Sequence, residues 1–344
     1  MGGSDDPATP SRVRPEALPR TTTGGSDGPA TPSRVRPEAL PRTTTAAKPT
    51  VAARATMPGT TAARMAPAGL DGLRVGVAQL AARVGDPAAN LALARRVLGR
   101  AAARGASLVV FPECFLQGYA LGSHPRSVAE SADGPGPRAL RELAARSGVA
   151  LVAGFIETNP ADPGRPFNSA LVVDRDGRLA GVYRKTHLYG GEFDAFAPGD
   201  AYPVFDLQLR DPGPALRIGA CICMDVEYPE VARLLALGGA QVIAVPSADM
   251  EPFRAQQAAN LVGRAIENNV YVALANTADR RSDVVFFGES GIAGPDGSVV
   301  RAGYLRPRLV VAELRDAAVE ASGGFGSYLR GRRPETYGAL LRDR

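Results

Sequence analysis

Cysteine is scarce in this chain, with three among 344 residues. The number is odd and too small for a secreted, disulfide-stapled design. Histidine is scarcer, His124 and His187 alone. Three thiols and two imidazoles leave little from which to build the roughly four-ligand Cys/His set of a structural zinc site, so no metal is expected. Apolar runs are short. None approaches the roughly 20 residues that span a bilayer. The opening MGGSDDPATP has neither the basic nor the apolar region of a secretory signal. A soluble, cytoplasmic protein without a membrane partner is expected. There is no Walker A loop, no dinucleotide fingerprint and no G-x-S-x-G. GESG (288–291) only partly echoes the last of these. Lysine is rare as well. Of 40 basic residues only Lys48 and Lys185 are lysine.

The net charge of +5 raises the question of nucleic acid until it is mapped. Residues 1–69 hold nine basic against five acidic residues, and residues 70–344 hold 31 against 30. The excess sits at the N-terminus, so the body gives no electrostatic reason to expect a nucleic-acid partner. That N-terminus repeats itself. GGSDDPATPSRVRPEALPRTTT (2–23) is followed by the same 22 residues at 24–45, with Gly28 in place of Asp6. Two copies without a hydrophobic face make no solenoid. Pro, Thr, Ser and Gly dominate, and such a segment cannot bury enough apolar surface to offset chain entropy. A disordered tail over 1–69 is expected, and Met57 or Met65 is a candidate start.

From Leu70 the pattern changes. Runs at 73–80, 106–111, 149–155, 217–223, 241–247 and 270–276 read as strands. Residues 86–105, 137–148, 229–239 and 255–269 carry helical apolar spacing, the first with an Asp at its cap. Residues 168–185, around a DRDG turn, and 291–315 read as hairpins. Strands alternate with helices while hairpins break a purely parallel plan. An α/β layered fold with mixed sheets follows, as one domain over 70–344.

Three residues stand out. In LVVFPECFLQGY (108–119), Glu113 ends a very apolar strand, where sites gather in α/β sheets. Flanked by Phe111 and Phe115, its carboxylate should be partly desolvated, which raises its pKa and suits a general base. An ordinary loop glutamate would read the same on this stretch alone. In VYRKTHLYGGEFDAFAPGD (182–200), Lys185 stands where this chain would otherwise place Arg. A compact ammonium suits a site that aims one charge at a developing oxyanion; chance retention is the alternative. In IGACICMDVEYPE (218–230), alternation places Cys221 and Cys223 on one strand face, with Cys223 at the turn into a helix. A helix N-terminus there would lower the thiol pKa, and the Met224 N–H would be an oxyanion donor. Cys221 would be a buried small hydrophobe. A metal-binding C-x-C competes weakly.

A Glu, a Lys and a Cys in this order, each at a strand end, resemble the nitrilase superfamily of carbon–nitrogen hydrolases. The resemblance runs from about Leu73 to Tyr337 and includes FNSALVVDRDG (167–177), EFDAFAPGD (192–200), RAIENN (264–269) and YLRGRRPETY (328–337). It implies an αββα four-layer sandwich of two mixed sheets flanked by helices, no cofactor, and a homodimer or larger homo-oligomer. It also implies a second glutamate, here Glu192, ahead of the F-x-P-G segment. Glu113, Lys185, Cys223 and Glu192 are then the expected catalytic set, with Met224, Tyr119 and Asn276 around the oxyanion or the substrate. The expected reaction converts a primary aliphatic or amino-acid amide to acid and ammonia through a Cys223 thioester. C-x-D-V-E-Y-P-E resembles the amidase branch. N-carbamoyl amino acid hydrolysis is the close alternative, nitrile hydrolysis a more distant one. A catalytically silent binding or assembly role is the alternative of a different class.

Overall fold

The alternating runs of the first half build one sheet and those of the second half build another. The computed structural model describes residues 69–120, 125–281, 283–323 and 328–341. Apart from Gly69, the expected tail with its repeat lies outside the described residues, as does His124. The strands are β1 (Arg74–Gln79), β2 (Leu108–Val110), β3 (Ala150–Glu157), β4 (Phe167–Val173), β5 (Leu179–Arg184), β6 (Val204–Leu207) and β7 (Leu216–Ala220). They continue with β8 (Val242–Ser247), β9 (Tyr271–Asn276), β10 (Ala278–Arg281), β11 (Val284–Phe287), β12 (Gly291–Ala293), β13 (Val299–Arg301) and β14 (Arg308–Glu313). The helices are α1 (Pro87–Ala103), α2 (Pro135–Ser147), α3 (Glu192–Ala195), α4 (Pro229–Leu237), α5 (Arg254–Asn268) and α6 (Asp316–Gly323).

One sheet of six strands runs β14-β1-β2-β3-β4-β5, the other β13-β12-β9-β8-β7-β6. Each has a parallel centre, β1-β2-β3 or β7-β8-β9, and antiparallel flanks. Parallel strands need a crossover, and the helices supply it. Local chemistry fixes the helix ends. Asp86 caps α1 by accepting the Ala89 N–H at 2.9 Å, with Pro87 at the first helical position. Gly148 ends α2 and Asn269 ends α5, both left-handed.

Strand alternation sorts the core into layers. Val75, Val77, Val110, Val152, Ala170 and Val172 of the first sheet share one cluster with Phe205, Leu207, Ile218 and Val245 of the second. Their neighbours along the first sheet, Val109, Leu151, Ala153, Phe155 and Leu171, point the other way. They pack on Ala94, Leu98, Leu140 and Leu143 of α1 and α2. Helices α4 and α5 cover the second sheet through Val231, Leu235, Leu261 and Ala265. This is the expected αββα layering. Every residue of β3, β8 and β9 is buried, as central strands covered on both faces must be. Among the described residues no helix is long and apolar enough to cross a membrane.

Several elements depart from the sequence reading. The strand expected over 217–223 stops at Ala220. Three short elements, α3, β6 and the β10–β11 hairpin, have four residues per helix or strand and too little periodicity to read. Helix α6 follows β14, where no helix was expected.

Candidate active site

The site forms where the ends of β2, β5, β7 and β8 meet. Glu113 lies three residues past β2 and is fully buried. Its N–H reaches the Ser247 carbonyl of β8 at 3.4 Å, which links the two sheets at this point. Close packing from β3 shapes the turn. Gly154 lies against it so tightly that a Cβ there would stand 2.5 Å from the Pro112 carbonyl oxygen and closer still to the Cys114 amide. Gly154→Ala is therefore expected to cost about 1–3 kcal/mol, as overpacked cores do, and to shift Glu113. Thermal melting and kcat/KM should fall together; a variant with unchanged activity would contradict this role for the turn.

Lys185 continues the line of β5. Its N–H donates to the Asn168 carbonyl at 2.8 Å, extending the β4–β5 pairing by one step. Two residues earlier, Tyr183 faces the space between the sheets, so Lys185 faces it as well. The ammonium is buried and bridges two carboxylates. It donates to Glu113 Oε1 at 2.7 Å and to Glu192 Oε1 and Oε2 at 3.0 and 2.8 Å. Glu192 opens α3 and is held further by the Tyr119 hydroxyl at 3.0 Å and the Tyr189 N–H at 2.9 Å. Asn168 joins the set by donating to Glu113 Oε1 at 2.7 Å and Glu192 Oε1 at 3.3 Å. The Cys114 thiol donates to Asn168 Oδ1 at 3.5 Å. Glu113 Oε2, also buried, accepts no hydrogen bond from any described group.

Cys223 begins a single helical turn, Cys223–Glu227, with left-handed backbone at φ 48°. A non-glycine residue there is strained and needs surroundings that hold it. Asp225 does so. Fully buried, it accepts from the Ile222 N–H at 2.9 Å, the Tyr183 hydroxyl at 2.7 Å, and the Thr186 hydroxyl and His187 N–H at 2.9 Å each. One carboxylate thus ties the turn bearing Cys223 to the stretch bearing Lys185. The expectation that Cys223 shares a strand face with Cys221 does not hold, because β7 has already ended. Cys221 lies in the inter-sheet core, as expected of a small hydrophobe.

The electrostatics follow from burial. Desolvation pushes Glu113 above the ordinary glutamate range; the Lys185 charge opposes this and the Glu192 charge adds to it. Burial alone would lower Lys185, but the Glu113 and Glu192 charges outweigh it and hold the ammonium well above its usual pKa. Burial raises the Cys223 thiol well above its usual value, with Glu113 reinforcing and Lys185 opposing. The sequence reading expected the opposite direction. A single helical turn offers too small a dipole to offset desolvation beside a carboxylate. Burial and the neighbouring carboxylate thus favour the neutral thiol at Cys223.

Cys223 and Lys185 line a cavity of about 80 Å³, together with Tyr119, Met224, Ala248 and Met250. Glu227, Asp249, Tyr189 and Phe253 complete the lining. Asn276 is elsewhere. Its amide donates to the Asp249 and Gly288 carbonyls at 3.1 and 2.9 Å, and its Oδ1 accepts the Asp249 N–H at 2.7 Å. It supports the cavity wall from behind and does not line the cavity. Sequence reading missed Asn168, Asp225, Glu227 and Asp249. Asn168 had a readable signal, since it shares a strand face with apolar Ala170 and Val172.

The family model for carbon–nitrogen hydrolases matches residues 74–322. The chain is a carbon–nitrogen hydrolase of the nitrilase superfamily. An (R)-stereoselective amidase of a Pseudomonas species is 34% identical over 263 residues, covering 76% of this chain and 92% of that protein. A Pseudomonas protegens protein described as "Hydrolase in pqqF 5'region" is 35% identical over 283 residues, covering 81% and 96%. The solved amidase from Nesterenkonia sp. AN1 superposes with a TM-score of 0.67 at 32% identity, covering 79% of this chain and 98% of that one. In that structure, a glutamate-to-glutamine variant, the acetamide moiety of fluoroacetamide is covalently added at the active-site cysteine. This hydrolase thus falls on the amidase-like side of the superfamily and cleaves carbon–nitrogen bonds other than peptide bonds.

Proposed function

We propose that this hydrolase converts a small primary amide to the acid and ammonia, with Cys223 as nucleophile and Glu113 as general base. The observation that carries the reading is the Lys185 ammonium clamped between Glu113 and Glu192 at the wall of the cavity that also holds Cys223. Glu113 Oε1 is engaged by Lys185 and Asn168, which leaves Oε2 to take the Cys223 proton. The sulfur then attacks the amide carbon. The oxyanion is stabilised by Lys185 and the Met224 N–H. Glu113 returns its proton to the amide nitrogen as the C–N bond breaks, and ammonia leaves a thioester on Cys223. Glu113 then takes a proton from water as its oxygen attacks the thioester. The acid departs and the sulfur regains the proton. Glu192 and Asn168 act through Lys185 and Glu113 by fixing their positions.

The cavity lining favours an amide over an N-carbamoyl amino acid. The latter carries a carboxylate that needs a cation, and among the described residues no arginine lines the cavity. Lys185, the one cation of the lining among the described residues, is already shared by two carboxylates. The test is ammonia release from an aliphatic amide, an amino-acid amide, an N-carbamoyl amino acid and a nitrile, with wild type and Cys223→Ala side by side. Release from amides in wild type alone is expected. Release from the N-carbamoyl compound alone would move the substrate to that class. Silence across the panel would contradict the reading.

The base must be ionised to act, and burial raises its pKa. The acid limb of kcat/KM is therefore expected above pH 4.5, the ordinary glutamate value. Activity should decline as pH falls through that limb. A limb at or below 4.5 in a pH profile would remove Glu113 as a desolvated base.

A further inference from the structure

Two carboxylates in the cavity lining have no part in that chemistry. Asp249 follows the end of β8, and its Oδ1 accepts the Met250 N–H at 2.9 Å. Among the described residues nothing donates to its Oδ2. The Asn276 amide grips its backbone on both sides, so its position is fixed. Glu227 ends the helical turn that Cys223 begins. Its carbonyl receives Arg264 at 2.8 Å, but its carboxylate has no hydrogen bond or ion pair among the described residues. Both carboxylates are partly withdrawn from solvent, and each feels it. Burial raises Glu227 above its ordinary range, with the Arg264 charge opposing. Burial, with the charges of Glu227 and Glu113 adding and Lys185 opposing, raises Asp249 to about 7.

Charge bookkeeping around the cavity is lopsided. Glu113, Glu192, Glu227 and Asp249 gather around it, while among the described residues Lys185 is the one cation of the lining, already held by the first two, and Arg264, outside the lining, acts on Glu227. The chain has 38 arginines among its 40 basic residues, yet among the described residues none lines the cavity. Aromatic surface completes the wall, with Tyr189 and Phe253 edge to face at 6.2 Å. Carboxylates beside aromatic rings make a site for an organic ammonium.

We propose that Asp249 and Glu227 are specificity-determining residues that receive a protonated amine of the substrate, so that the preferred substrate is a small primary amide bearing an ammonium group, such as an α-amino-acid amide. This rests on Cys223 in the same cavity being the nucleophile. It assigns the cavity lining two tasks. Cys223 and Lys185 take the amide carbonyl. Asp249 and Glu227 take the charge on the neighbouring carbon and turn away substrates that carry a carboxylate. The groups facing Asp249 are Glu227, Glu113, Lys185 and Cys223, and Arg264 faces Glu227. An α-amino group stays protonated up to about pH 8, so attraction is strongest between roughly 7 and 8.

The experiment compares kcat/KM for alaninamide and isobutyramide, which have nearly the same shape and differ in an ammonium against a methyl group. At pH 7.5 the wild type should prefer alaninamide by at least about tenfold, the scale of one charge-assisted hydrogen bond. Asp249→Asn and Glu227→Gln should each reduce that ratio severalfold. Equal or better hydrolysis of isobutyramide by the wild type would overturn the proposal while leaving the amidase reading standing. A ratio that survives both substitutions would overturn it too. Release of ammonia from neither amide would overturn the amidase reading and this inference with it.

Discussion

Cys223→Ala is expected to lower amide hydrolysis by at least about 10³-fold while leaving the fold intact, because removing the proposed nucleophile would remove the covalent route altogether. The side chain faces a cavity, so its truncation leaves no buried void. The strained φ of 48° at this position is kept by the backbone and by Asp225, and alanine meets the same steric limits there as cysteine. Melting temperature should therefore change little. Cys221→Ala is the informative partner. Cys221 sits in the inter-sheet core, so its loss should cost stability on the order of 1 kcal/mol, as small core truncations do, and leave turnover near wild type. The pair separates chemistry from packing across two residues. Steady-state ammonia release and thermal melts check both. Full activity in Cys223→Ala, with loss in a folded Cys221→Ala, would reverse the assignment.

Lys185→Arg is expected to lower kcat by about 10²–10³-fold, the usual cost of losing one preorganised oxyanion donor. Charge is kept and geometry is not. The pocket around the buried Nζ is built for a compact ammonium, with three carboxylate oxygens at 2.7, 2.8 and 3.0 Å. A guanidinium is planar and wider. It must push Glu113 or Glu192 aside, and either movement breaks the contacts that aim the base. Overpacking of this kind costs about 1–3 kcal/mol of stability as well. Most of the loss should fall on kcat, since the proposed task of the ammonium is on charge that develops during reaction. Undiminished turnover in a folded Lys185→Arg enzyme would refute the oxyanion role.

The sequence carried the layers well because strand alternation and helix spacing are local signals. The runs that became β1, β3, β8 and β9 were readable from their own residues. Glu113, Lys185 and Cys223 were readable because each is an uncommon choice at the end of an apolar run. What stayed hidden depends on distance along the chain. Asn168 meets Glu113 across 55 residues, and Asp225 meets Tyr183 across 42. No window of sequence contains such a pair. Asn276 was expected at the substrate, but three hydrogen bonds turn it to the backbone behind the cavity wall. The direction of the Cys223 shift depends on distance along the chain too. The helix start was visible in sequence, whereas the burial and the carboxylate that outweigh it come from other strands.

The central claim is an acyl group carried on one particular sulfur. The most direct measurement is acid quenching during turnover of a hydrolysed amide, followed by peptide mapping by mass spectrometry. The account predicts an acyl thioester on Cys223, with Cys114 and Cys221 unmodified. An acyl group on either of those residues, or steady ammonia release with no acyl-enzyme under conditions that preserve thioesters, would contradict it.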